Sequence, residues 1–382
     1  MRKISYFLHF LLVVIILTGI CTALAAEEST AGTIASGTCG ENLTWVLTHD
    51  GVLTISGEGA MDDLPPWWNY CETIKTVVID SGVTSICDCA FSGCASLTSI
   101  TIPDGVTSIG WNAFAGCNSL TTITIPGSVT SIERPLAFST CASLTDIIVS
   151  ENNQNYCDVD GVLFTKDMST LMVYPIAKAQ TTYEIPDGVT EIDDSAFSGC
   201  SALTSITIPD GVTTIGSSAF AGCNSLTTIT IPDSVTSIGA WAFYVCANLT
   251  DIIVSENNQN YCDVDGVLFT KDMSTLMVYP IAKAKTEYEI PYGVTEIRYF
   301  AFAECSTLTT VTIPTALPPS AGTHLSTAPP SPPSPSPTAS LRSAATHSTT
   351  APLWQPSTTL AQKRSGTRLR SPLEMMICSM PS

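Results

Sequence analysis

The sequence predicts an α/β repeat solenoid, strand-dominated, with a small β-rich N-terminal cap. Three observations predict it. First, a 23-residue unit recurs, starting at Ile102, Ile125, Ile185, Ile208, Ile231 and Ile290, with a degenerate copy at Ile79. Second, within each unit the apolar positions keep their offsets: Val106, Ile109, Ala113, Phe114, Cys117, Leu120 and Ile123, then Ile125 opening the next copy. Third, Leu144 to Ala179 repeats residue for residue as Leu249 to Ala284, 105 positions on. A 23-residue unit cannot bury that many apolar groups alone, but stacked units cover one another.

Each element follows from its residues. Leu120-Thr121-Thr122-Ile123-Thr124-Ile125 reads L-x-x-I-x-I, the strand half of the leucine-rich repeat pattern, and Pro126 ends it. Val106 to Gly110 is a second short extended piece, and Ala113 to Cys117 predicts a single helical turn. One copy carries an extra residue at Glu133-Arg134-Pro135-Leu136, where a bulge is expected. The duplicated block adds an insert, near 151–184 and again near 256–289. There, Tyr156 to Phe164 and Thr170 to Pro175 predict two strands joined across Lys166 to Ser169.

Composition narrows the function. With 15 basic and 34 acidic residues the net charge is −19, which disfavours nucleic acid and anionic membranes as partners. Of four histidines, His9 lies in an apolar leader, and His324 and His347 lie in a Pro/Ser-rich tail. His49 alone remains for the folded body, which leaves no His-rich metal site or catalytic histidine pair there. The leader, residues 1–25, reads as a signal peptide. Arg2 and Lys3 precede the apolar stretch Phe7 to Ile20, and Ala23-Leu24-Ala25 offers a cleavage pattern. We therefore expect an exported chain, secreted or held at the cell surface, with no membrane span after cleavage.

The units I-P-x-G-V-T-x-I-x-x-x-A-F-x-G-C-x-x-L-T-x-I-x resemble the BspA-like leucine-rich repeats of bacterial surface proteins. The insert resembles that family's Y-x-x-x-D-G-V-L-F and Y-P elements. Residues 38–78, with Leu43-Thr44-Trp45 and Gly51 to Gly57, resemble its lead-in, and the likeness spans roughly Gly37 to Pro314. It implies a leucine-rich repeat solenoid outside the cell that acts in adhesion and protein binding, without catalysis or a cofactor.

The expected organisation is a signal peptide at 1–25, a cap at 26–78, the solenoid at 79–314, and a disordered Pro/Ser/Thr-rich tail at 315–382. The tail holds half of the prolines and one acid, Glu374. Codons built one base out of frame over Ala316 to Ala321 permit V-T-S-I-G, and over Thr327 to Pro337 they permit C-x-S-L-T-S-I-T-I-P. These hidden positions keep the 23-residue phase, so we hypothesise a frameshift near Thr315. Resequencing across Ile313 to Ala321 tests this, and an unchanged sequence in independent isolates refutes it.

Candidate sites carry competing readings. Asp158-Val159-Asp160-Gly161 and Asp263-Val264-Asp265-Gly266 start like calcium loops but lack the later ligands, and read first as turns. The column Cys94, Cys117, Cys141, Cys200, Cys223, Cys246 and Cys305 reads as buried packing, and Cys87-Asp88-Cys89 is too close for ordinary zinc pairing. Cys39 and Cys71 stand outside the repeat and could pair. Trp67 and Trp68 either stack on a sugar or cap the open end of the solenoid. No catalytic or metal residue is singled out. Ser99, Thr101, Thr122, Thr124, Ser205, Thr207, Thr228, Thr230, Thr310 and Thr312 form an outward ladder. Threonine suits an exposed strand face without any function; the functional reading is a contact surface for an extracellular protein, host or bacterial, or for a glycan.

Overall fold

A computed structural model describes residues 32–133 and 136–314. The leader, the tail and half of the predicted bulge, Arg134 and Pro135, lie outside them. The strand-dominated solenoid is what the chain forms: about 11 turns with nearly no helix.

At the N-terminus Thr33–Gly40, Leu43–Thr48 and Val52–Gly57 make an antiparallel meander. Alternation sets its faces: Leu43, Trp45 and Leu47 are buried, while Thr44 and Val46 are exposed. Val52–Gly57 then pairs in parallel with Thr76–Ile79, Leu53 opposite Val77 and Ile55 opposite Ile79. The cap is thus the first rung of the array.

Each unit then contributes to three ladders. The first is built from Thr76–Ile79, Ser99–Thr101, Thr122–Ile125 and their later copies, parallel to one another and hydrogen-bonded as ladders with a break between Ser99–Thr101 and Thr122–Ile125. Ile123 and Ile125 point inward, and Thr122 and Thr124 outward. The second ladder is the short V-T-x-I piece: Val83–Ile86, Ser108–Ile109 and Ser131–Ile132 pair in parallel, as do Glu191–Ile192, Thr214–Ile215 and Ser237–Ile238.

The third ladder replaces the expected helical turn. Over Ala113 to Cys117 the chain makes no helix. Asn112 at φ 53° and Gly116 at φ 73° are left-handed, which turns alternate N–H groups along the array. Phe91 N–H donates to Ala113 O (2.7 Å), and Phe114 N–H to Ala137 O (2.8 Å) in the next unit. Five residues make too short a helix to satisfy its own termini, whereas a stacked neighbour offers an acceptor at every second residue. Among the described residues, 3₁₀ turns occur at Trp68–Tyr70 and at Leu136–Phe138, just after the extra residue.

Under the third ladder runs an aromatic stack. Trp67, Phe91, Phe114 and Phe138 follow one another at centroid spacings of 5.9, 5.6 and 5.6 Å. The stack restarts with Tyr174, Phe197, Phe220 and Phe243, and again with Tyr279 and Phe302. The breaks are the inserts. Each insert is three strands, where two were expected: Tyr156–Val159, Val162–Thr165 and Thr170–Val173. The extra reversal is a two-residue hairpin turn at Asp160 (φ 51°) and Gly161 (φ 73°), both left-handed as a type I′ turn requires. The third strand then rejoins the second ladder, Leu171 opposite Ile192.

Buried polar groups lock each insert to the unit before it. Asn153 is fully buried, donates to Pro126 O (2.8 Å) and Val129 O (3.0 Å), and accepts from the N–H groups of Asn155 and Tyr156 (both 2.8 Å). The Tyr156 hydroxyl accepts from Ile132 N–H (2.9 Å), at the end of the short-strand ladder. Asn258 and Tyr261 repeat this arrangement on Pro232, Val235 and Ile238.

Candidate functional site

The outward ladder faces solvent. Ser99, Thr101, Thr122, Thr124, Ser205, Thr207, Thr228, Thr230 and Thr310 are exposed, and Thr312 is half-buried. The ladder is not continuous. Asp146 pairs beside Thr122, and Ile148 beside Thr124, while Asp251 and Ile253 do the same beside Thr228 and Thr230. Glu184 and Glu289 stand opposite Thr207 and Thr312. Ile148 and Ile253 are 46% and 47% exposed, so the face carries two large apolar side chains at equivalent seats. The reading of ladder residues by Ser and Thr alone missed them. Their signal was the D-I-I-V run, in which the second isoleucine holds the phase of an outward threonine.

Threonines in this chain divide into two kinds by where their hydroxyls go. Most of those just before the first-ladder strand and in the V-T pair are spent inside the stack, with Thr121 and Thr227 as exceptions among the described residues. Thr98 donates to Lys75 O (3.0 Å), Thr204 to Thr181 O (3.0 Å), Thr107 to Thr84 O (3.1 Å) and Thr213 to Thr190 O (3.1 Å), each 23 residues back. The outward threonines Thr101, Thr122, Thr124, Thr207, Thr228 and Thr230 make no such side-chain bond among the described residues. Their hydroxyls are free for an outside acceptor or donor.

The tryptophans are separated by burial. Trp67 is fully buried, donates from Nε1 to Ala90 O (2.7 Å), and stacks on Phe91 while Trp45 meets it edge-on at 5.9 Å. It caps the aromatic stack, which overturns sugar stacking for that ring. Trp68 is 62% exposed.

The Asp-Gly motifs are turns, as their first reading held. Asp158 accepts from Val149 N–H (2.7 Å), tying the hairpin to the first ladder. Lys178, nearly buried, reaches Asp146 (3.5 Å), Asp160 Oδ2 (3.9 Å) and Asp160 O (2.5 Å), so an ammonium neutralises this acidic corner. Lys283 does the same between Asp251 and Asp265.

The cysteine column is buried, and its thiols are also donors. Cys117 Sγ reaches Phe91 O (3.2 Å), Cys141 Sγ Phe114 O (3.0 Å), Cys223 Sγ Phe197 O (3.2 Å) and Cys246 Sγ Phe220 O (3.1 Å). Burial pushes the Cys141 thiol up to about 11 and that of Cys246 to about 12, so neither offers a thiolate near neutral pH. Cys39 and Cys71 are separate free thiols. A hydrogen bond with Cys94 holds Cys71 below the ordinary thiol value. Among the described residues, no cluster of His, Cys, Asp and Glu could hold a metal ion, and no helix is long and apolar enough to cross a membrane.

Stacked parallel rungs, an L-x-x-I-x-I strand and a cysteine at the turn define a leucine-rich repeat solenoid. Six copies of the BspA type leucine rich repeat region match residues 67–159, 177–264 and 282–320, more than half of the chain. The chain belongs to that family. Among solved structures it is similar to a leucine-rich repeat protein from Eubacterium ventriosum ATCC 27560. That likeness is at 31% identity over 74% of this chain and 86% of that one, with TM-score 0.48. It is also similar to a leucine rich cell surface protein from Faecalibacterium prausnitzii A2-165 (22% identity, 73% and 95% coverage, TM-score 0.42). A third likeness is to the pneumococcal vaccine antigen PcpA (17% identity, 79% and 97% coverage, TM-score 0.44). Among curated proteins none matches this sequence.

Proposed function

We propose that the chain is an exported interaction module, secreted or displayed at the cell surface, that binds an extracellular protein of host or bacterial origin through its outward ladder. The observation that carries this reading is the split between spent and unspent hydroxyls. The fold uses most of the threonines that stack, and leaves free those on the exposed strand face. Ile148 and Ile253 add apolar area to that face, and a long repeat surface suits extended contact without covalent chemistry. Family membership and the strong negative charge agree with a protein partner outside the cell. With His49 the sole histidine among the described residues, binding is favoured over catalysis.

The test uses the full chain on a sensor surface against a panel of purified extracellular-matrix and bacterial surface proteins. Thr207→Arg combined with Thr230→Arg places two bulky charges on the ladder without touching the core. It is expected to weaken binding at least 10-fold, while Ser201→Arg, on an exposed turn, leaves it unchanged. Equal binding by the ladder variant refutes the reading.

A further inference from the structure

Where one unit stacks directly on another, the ninth residue is glycine at Gly110, Gly216 and Gly239, and Glu133 departs from this in the unit that carries the extra residue. A Cβ on Gly110, Gly216 or Gly239 would stand 2.4–2.5 Å from the backbone nitrogen of Asp88, Asp194 or Ser217. The unit that follows an insert has no such neighbour directly below, because the three-stranded insert stands in its place. There the ninth residue is Arg298. The space that opens is a cleft between the unit starting at Ile231 and the unit starting at Ile290, with a cavity of about 140 Å³ floored by Met277 and Tyr279.

Aromatic rings wall this cleft. Phe300 meets Trp241 at 6.3 Å, Tyr244 at 5.7 Å and Tyr299 at 4.3 Å, all in edge-to-face pairs. Trp241, Tyr244 and Tyr299 are 51%, 38% and 60% exposed. Arg298 spends one N–H on Ile238 O (3.1 Å) and has no carboxylate partner among the described residues.

The fold does not require these rings. Trp241 and Phe300 are left-handed, at φ 58° and 63°, in a seat that Asn112, Ser195 and Ser218 fill elsewhere. Val245 is left-handed at φ 54° where other units carry Gly116, Gly199 and Gly222, although Thr140 and Glu304 are left-handed in that seat too, so the marked departures here are Trp241 and Phe300. Bulky and β-branched residues rarely accept that backbone, and such departures gather at functional sites. The duplication supplies an internal control. The equivalent opening 105 residues earlier has Leu136, Ser139, Asp193, Asp194 and Ser195 in these seats, and forms its insert just the same.

We propose that this cleft is a subsite for one ring of a neutral glycan. Since a cavity of about 150 Å³ takes benzene, this open cleft of about 140 Å³ has room for the face of one six-membered ring, with its exocyclic hydroxyls toward solvent. Exposed aromatic faces suit the apolar face of a sugar, and the unpaired N–H groups of Arg298 suit its ring and hydroxyl oxygens. A cationic ligand would meet Arg298, and an anionic one would approach a chain of net charge −19. The site lies apart from the outward ladder and does not depend on it.

The full chain is applied to an array carrying neutral and sialylated oligosaccharides, beside a double variant, Trp241→Ser with Tyr299→Asp. Ser218 and Asp194 already hold those seats in other units, so the variant folds, and an unshifted thermal melt checks it. The expected result is binding to neutral glycans that the variant weakens at least 10-fold. The proposal is overturned if no glycan binds, if only sialylated glycans bind, if the variant binds equally, or if the variant instead loses a protein partner.

Discussion

Asn258→Ala is expected to let residues 267–314 unfold ahead of the rest of the array. The amide of Asn258 is fully buried and makes four hydrogen bonds, to Pro232 O, Val235 O, and the N–H groups of Asn260 and Tyr261. Alanine leaves four backbone groups without that partner, each costing about 1–3 kcal/mol where water cannot reach. Even with partial rescue by water, the loss is on the order of 4 kcal/mol. It falls at a weak point. The buried apolar residues divide into three clusters, and the last begins in this insert with Val267 and Phe269. In an array stabilised by nearest-neighbour contacts, weakening one interface uncouples what lies beyond it. Urea unfolding followed by circular dichroism should therefore show two steps in the variant. A single step with an unshifted midpoint would contradict this account of the inserts.

Phe220→Ala is expected to cost about 3–5 kcal/mol, the range for emptying a buried aromatic seat. The ring is fully buried and stacked on both sides, 5.3 Å from Phe197 and 5.6 Å from Phe243. Its backbone N–H also donates to Ala242 O (2.8 Å), and its carbonyl accepts the Cys246 thiol, so little can collapse into the void. The urea midpoint reads the effect. Phe220→Leu, which keeps most of the volume, should lose far less. An alanine variant as stable as the leucine one would mean that the stack does not hold the units together.

Much of this was legible in the residues because a repeat states the same instruction many times. The 23-residue offset of Phe114, Cys117 and Ile123 becomes the 23-residue register of the parallel pairs between uninterrupted units, and the cap, the extra residue and the inserts shift it by one to two residues. The turn at Asp160-Gly161 was legible for the same reason that it forms, since those residue types accept left-handed backbone. What escaped depended on the neighbouring unit. Ala113 to Cys117 looks helical when read alone, yet its alternate N–H groups, those of Phe114 and Gly116, are satisfied by the next turn of the solenoid. Trp67 and Trp68 are adjacent and alike in sequence, and only packing makes one a cap and leaves the other in solvent. The two kinds of threonine are likewise identical in type. Their hydroxyls are told apart by whether a carbonyl 23 residues back lies within reach.

The outward ladder is the central claim, and hydroxyl-radical footprinting of the full chain with and without a bound protein partner tests it most directly. Ile148 and Ile253 report on the ladder, and Trp68 and Tyr292, 62% and 89% exposed, report on surface elsewhere. The account predicts that the partner shields both isoleucines from oxidation and leaves Trp68 and Tyr292 as reactive as before. Shielding that spares Ile148 and Ile253 would place the contact on another face and contradict it.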